Sequence, residues 1–161
     1  MKRILLLVMS IMILFSGSVF AENWQWVDSN DSVGFFFDKD SVKYDIMPAL
    51  FVGQKEQIHR DIKNCWVKVA YTAKSASELA KSYDDDSFNS VSYSLEKWTM
   101  YKERIAVEFV AYYDNDGNTV YSSYVNNSSL IVPGSFGESV CIAVNSYCLN
   151  NDKKVLFNSR N

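Results

Sequence analysis

An α+β domain built on antiparallel strands is the fold this sequence predicts, on three observations. Aromatic residues make up 15% of the 161 residues, with ten Tyr, ten Phe and four Trp, a usage that favours strands over helices. Residues Ile105 to Tyr113 alternate, turn at Asp114-Asn115-Asp116-Gly117-Asn118 and return through Thr119 to Val125, an antiparallel hairpin. Two segments, behind Ser75 and behind Ser135, place a capping-box pair ahead of apolar residues at helical spacing. An all-helical bundle is disfavoured by the first two.

Composition bounds the rest. With 48% hydrophobic and 22% charged residues and a net charge of −3, the chain has an ordinary globular balance, against disorder, collagen-like repeats and a coiled coil. A sequence pI of about 5.1 disfavours a basic nucleic-acid binder. Three Cys and one His are too few for a disulfide-scaffold miniprotein or a Cys/His structural zinc site.

Residues 1–21 read as a secretory signal peptide: Lys2 and Arg3, an apolar run from Ile4 to Phe15, and a small-residue stretch ending at Ala21. The run is 12 residues long, short of the roughly 20 a membrane-spanning helix needs. Cleavage after Ala21 leaves residues 22–161 as one exported domain, more acidic once Lys2 and Arg3 are gone. No Cys lies near the cleavage site and no apolar tail closes the chain. The expectation is a product that is not a lipoprotein and does not insert stably in a membrane, and that is periplasmic, secreted or peripherally surface-associated.

Within residues 22–161 there is no linker, repeat or low-complexity tract. Trp24, Trp26 and Val27 open the domain, a polar turn follows at Asp28 to Ser32, and Val33-Gly34-Phe35-Phe36-Phe37 reads as a buried strand. Residues 45–61, with Pro48 and Gly53 as breakers, read as a loop or the start of a long strand. From Cys65 to Ala73 the pattern alternates, Val67, Val69 and Tyr71 against Lys68, Ala70 and Thr72, a half-buried strand. Ser75 with Glu78 opens a helix whose face is Ala76, Leu79, Ala80 and Tyr83, and which stops at Asp84-Asp85-Asp86. Val91 to Lys102 alternates loosely, and in the following strand Ile105, Val107, Phe109, Ala111 and Tyr113 face one way. Ser135 with Glu138 caps a second helix, with Phe136, Val140, Val144 and Tyr147 on its apolar side. Residues 150–161 read as a last strand or a frayed tail.

Export permits disulfides, and one bridge with one leftover thiol is the simple expectation for Cys65, Cys141 and Cys148. Two helical turns would hold the Cα atoms of Cys141 and Cys148 about 10 Å apart, beyond disulfide reach. Three small buried hydrophobes is the competing reading.

Trp26-Val27, Phe36-Phe37-Asp38 leading to Ser41-Val42-Lys43, Trp66-Val67-Lys68, Tyr113-Asp114 with Asp116-Gly117, and Pro133-Gly134-Ser135 with Glu138 follow one another along the chain. In order and character these motifs resemble the surface-adhesin protein E family of bacteria. The resemblance spans about residues 24–148. It implies a single domain with an antiparallel sheet of about six strands and one or two packed helices, and a bridge between Cys65 and Cys148 tying the C-terminal helix to the sheet. Closing that loop would stabilise by roughly 4–5 kcal/mol on chain entropy. It further implies a binding module for host matrix or plasma glycoproteins such as vitronectin and laminin. The alternative is a periplasmic protein that binds another envelope component or acts as an inhibitor.

Catalytic patterns are weak, and no cofactor, metal site or enzymatic activity is expected. His59 lies in a charged stretch and reads as a solvated side chain. Ser135 follows Gly134 directly, unlike a nucleophile elbow. A calcium loop around Gly117 would need acidic residues where Tyr112 and Ser123 stand. The candidate recognition residues are instead aromatic. Trp98, Tyr101, Tyr112, Tyr121 and Tyr124 alternate with polar neighbours, so some must stand on the sheet face opposite the core. If no helix covers that face, it is a recognition surface, because Tyr and Trp supply contact area at low entropy cost.

Overall fold

A computed structural model describes residues 23–48 and 55–161; the predicted leader lies outside them. Seven antiparallel strands form one sheet: β1 (Trp24–Ser29), β2 (Val33–Asp38), β3 (Lys43–Met47), β4 (Gln57–Tyr71), β5 (Tyr93–Met100), β6 (Arg104–Tyr113) and β7 (Thr119–Leu130). Helix α1 (Ala73–Tyr83) and a 3-10 turn (Asp86–Ser90) lie between β4 and β5, and α2 (Phe136–Asn150) and α3 (Asp152–Arg160) end the chain. The spatial order is β1-β2-β4-β5-β6-β7, with β3 also on β4.

The length of β4 organises this sheet. Its C-terminal part pairs with β2 (Phe37↔Val67 to Val33↔Tyr71), its N-terminal part with β3 (Lys43↔Asn64 to Met47↔Gln57), and Lys63 to Ala70 pair with β5 on the other edge. One 15-residue strand therefore carries β2 and β3 end to end along one side. The sheet has seven strands, close to the expected number of about six. The added pairing lies in the stretch that the sequence left open, where His59, Arg60 and Asp61 interrupt any apolar alternation.

One face of the sheet is the core. Phe37, Cys65, Val67, Val69, Trp98, Met100 and Ile105 pack there against Val140, Cys141, Val144 and Cys148 of α2 and Val155 of α3. A second cluster gathers Val110 and Tyr112 under Ala76 and Ala80 of α1, with Phe88 and Val91 beside them. Burial on this scale is the main favourable term in the fold, roughly 25 cal/mol per Å² of apolar surface. The face predicted for Ile105 to Tyr113 divides at a register shift between Val107 and Phe109. Ile105 and Val107 join the first cluster and Val110 and Tyr112 the second, while Phe109 packs on the other side against Trp66. A bulge that adds one residue re-aims every side chain after it.

The helix caps are half as predicted. Ser135 Oγ accepts from the Glu138 N–H at 3.2 Å, and Glu138 Oε2 accepts from the Gly134 N–H at 2.7 Å. Gly134 has φ +76°, a conformation glycine adopts without strain. At α1 the cap is Thr72, not Ser75: Thr72 Oγ1 accepts from the Ser75 N–H across a long 3.4 Å, and Ser75 is buried. Ser75 Oγ instead donates to the Ser32 carbonyl at 2.7 Å, tying the helix start to the β1–β2 turn. Ser75→Ala is therefore expected to cost about 1 kcal/mol, the net worth of a hydrogen bond. It should exceed the loss from Thr72→Ala when urea midpoints are compared.

Residues 152–160 are a helix, neither strand nor tail. A single residue, Asn151, separates it from α2, with the Val155 N–H donating to the Asn151 carbonyl at 3.0 Å. The triplet Val155-Leu156-Phe157 imitates a buried strand, but only Val155 is fully buried and Phe157 is exposed. Docking onto the sheet holds the helix. The Tyr44 N–H donates to Ser159 Oγ, Lys154 pairs with Asp40, and Asp152 receives both Arg60 and the Tyr44 hydroxyl.

The thiols of Cys65, Cys141 and Cys148 are free and buried in the first cluster. The Cys65–Cys148 bond implied by the resemblance is not formed. Burial pushes the Cys141 thiol up to about 11 and raises Cys65 and Cys148 as well, which keeps all three protonated and unreactive near neutrality. They fill space as small hydrophobes.

Candidate functional site

Among the described residues no helix covers the second face of the sheet. Strand alternation fixes what stands there. Because Cys65, Val67 and Val69 point into the core, Trp66, Lys68 and Ala70 point out. The registers carry that phase outward, from Lys68 to Phe36 and Leu95 and from Trp66 to Lys97. From β5 it continues to Phe109, Ala111 and Tyr113, and thence to Tyr124. Trp24 and Trp26 join from β1 opposite Asp38 and Phe36.

The rings brace one another. Trp66 meets Phe109 edge-on at 6.0 Å, Phe109 meets Tyr124 at 5.2 Å, and Tyr93 stacks on Tyr113 at 5.0 Å. The Lys68 ammonium lies 4.3 Å from the centre of the Tyr93 ring and 5.9 Å from that of Trp24, a cation–π geometry. Between them Trp24, Asp38, Trp66, Leu95, Phe109 and Tyr113 line a shallow depression of about 280 Å³. Trp26 is 58% and Tyr124 88% exposed, which places two large rings in solvent at the rim.

A polar chain borders the aromatic field. Thr99 Oγ1 lies 2.6 Å from Asn64 Oδ1 and within bonding distance of Glu108 Oε1, and Lys97 Nζ is 2.7 Å from Glu108 Oε2. One hydroxyl proton cannot serve two acceptors. The chain is satisfied when Asn64 turns its amide nitrogen to Thr99 and Thr99 donates to Glu108. Lys97 and Thr99 together hold the Glu108 carboxyl below the usual carboxylate range.

The five aromatic residues picked out by sequence do not form one surface. Trp98 and Tyr112 are buried in the two core clusters, 6% and 7% exposed. Tyr121 stands on the helix-covered side against Phe88, and Tyr101 lies in the turn between β5 and β6. Only Tyr124 stands on the open face. Trp24, Trp66, Phe109 and Tyr113 complete the surface and were missed. The signal for Trp66 is in the sequence, since it shares the phase of Lys68 and Ala70 opposite Val67.

The core face carries one unusual acid. Glu96, half-buried between the clusters, accepts from Trp98 Nε1 at 2.8 Å and from Ser94 Oγ at 3.0 Å, while Ser94 Oγ also meets the Tyr71 hydroxyl. Burial raises its pKa, and the two hydrogen bonds offset this only in part. A carboxyl with a raised folded-state pKa contributes stability that is present below its ordinary pKa and lost as pH rises through the elevated one. Glu96→Gln is accordingly expected to raise the urea midpoint at pH 7, with the gain shrinking towards pH 4. A constant gain across that range would assign the effect to packing.

His59 Nε2 is buried without a hydrogen-bond partner among the described residues. Among the described residues no group of three or more His, Cys, Asp or Glu is placed to hold a metal, and no helix is long and apolar enough to cross a membrane. Compared with models of protein families, with curated proteins and with solved structures, the chain matches none.

Proposed function

We propose that the chain is an exported binding module that holds host matrix or plasma glycoproteins, of the kind of vitronectin and laminin, on the open face of its sheet. The observation that carries this reading is the aromatic field of Trp24, Trp66, Phe109, Tyr113 and Tyr124, which no helix among the described residues covers. Rings of this type on a rigid sheet supply most of the energy of a protein interface while losing little entropy on binding. Exposed apolar patches on exported domains mark interaction sites. The ordered motifs shared with the adhesin E family, several of which lie on this sheet, favour the same reading.

The test is equilibrium binding of residues 22–161 to immobilised vitronectin and laminin, with albumin as blank and salt varied. Saturable binding absent from albumin supports the proposal. If both match the blank, host adhesion loses its support, and a partner in the bacterial envelope becomes the reading to pursue.

A further inference from the structure

We infer that the depression on the open face is a carbohydrate subsite, so that the module grips the sugar chains of its glycoprotein partner and not its polypeptide. The inference rests on the binding-module reading but concerns the chemistry of the ligand. A volume of about 280 Å³ lies just below the range for whole-ligand pockets, about 300–1,000 Å³. That suits one ring-sized unit of a longer chain.

The lining decides which unit. Trp24, Trp66, Phe109 and Tyr113 supply flat apolar walls, and Asp38 lines the same depression. Asp38 Oδ1 accepts the Asp40 N–H at 3.0 Å, which fixes the direction of the carboxylate. Lys68 does not line the depression, but its ammonium, 5.9 Å from the centre of the Trp24 ring that does, brings the opposite type of group, one that only donates. Among the described residues no carboxylate lies within ion-pair distance of it. A pyranose ring matches this combination. Its C–H face packs on an aromatic plane, while its hydroxyls both donate to a carboxylate and accept from an ammonium. A proline-rich peptide also favours aromatic grooves, but proline lacks an N–H to offer Asp38. Nucleic acid is disfavoured by the acidic chain.

The experiment uses residues 22–161 with vitronectin before and after enzymatic removal of its N-glycans. The released glycans are also titrated directly, with the intrinsic tryptophan fluorescence as readout. Expected are at least a tenfold loss of binding on deglycosylation, a saturable fluorescence change with the released glycans, and a loss of that change in Asp38→Asn. Asparagine keeps the oxygen that accepts from Asp40, so the turn is retained, and circular dichroism checks it. Undiminished binding to deglycosylated vitronectin with silent fluorescence would overturn the carbohydrate subsite and leave the adhesion reading standing. A fluorescence response to glycans without binding to intact vitronectin or laminin would support the subsite and defeat host adhesion. Silence in every arm would defeat both.

Discussion

Replacing Trp66 by alanine is expected to weaken binding to vitronectin and laminin by about thirtyfold or more while leaving the fold intact. Truncation of a central aromatic anchor typically costs about 2 kcal/mol or more, and each 1.4 kcal/mol is a factor of ten in affinity. Trp66 occupies that central position. It comes from the strand that joins both halves of the sheet, braces Phe109, and forms one wall of the depression. Its partners lie on the open face, so its loss leaves Val67, Val69 and the α2 contacts in place. Tyr124→Ala should act in the same direction with a smaller effect, because its ring, 88% exposed, stands at the rim of the field and not in the depression, and rim contacts carry less of the binding energy than central ones. Tyr121→Ala is the control. That ring packs on Phe88 beneath the helices, and its removal should lower stability slightly and leave affinity unchanged. Equal losses from Trp66→Ala and Tyr121→Ala would mean that the open face is not where the ligand sits.

These two tyrosines show how far the sequence could be read. Strand existence was legible wherever one face is buried, as in Cys65 to Tyr71, because period-two alternation is a property of the chain itself. The phase of β6 was not, since the bulge between Val107 and Phe109 arises from pairing with β5 and β7. A strict alternation through residues 105–113 therefore puts Phe109 on the side of Ile105. Three residues apart, Tyr121 and Tyr124 stand on opposite faces by alternation alone, the first opposite Tyr112 and the second opposite Phe109. Sequence marks both as aromatic residues in a strand. Only the register, through the partners on β6, tells which of them stands on the open face.

The C-terminal helix was hidden for another reason. Its apolar residues are contiguous, and contiguous triplets read equally as strand or helix. What selects the helix is tertiary: Val155 drops into the core beside Val42 and Tyr44, and the Ser159 hydroxyl satisfies the Tyr44 N–H at the edge of β3. The cap of α1 failed similarly. Ser75 fits a capping box on spacing alone, but its hydroxyl is claimed by the Ser32 carbonyl, 43 residues away in sequence.

Phe88→Ala is expected to have the largest effect on stability, a loss of about 3–5 kcal/mol, the range for deleting a buried phenylalanine ring. A domain this size is stable by only about 5–15 kcal/mol in total, so the variant should unfold at a much lower urea concentration. The ring is 1% exposed, stacks on Tyr83 at 4.4 Å, and meets Tyr112 edge-on at 5.2 Å and Tyr121 at 5.8 Å. It thereby joins three separate pieces: the end of α1, the 3-10 turn and the outer strands of the sheet. Beyond the bulge, Val110 and Tyr112 of β6 leave the α2 cluster, and the second cluster around Phe88 is their hydrophobic cover. The consequence extends to function, because Phe109, Tyr113 and Tyr124 ride on β6 and β7. Loosening the covered side should lower the amide-exchange protection of these two strands before that of β4. Affinity measured well below the unfolding midpoint should then fall only modestly, in contrast to Trp66→Ala. A loss of protection shared equally by β2, β4 and β6 would show that the two clusters unfold as one unit.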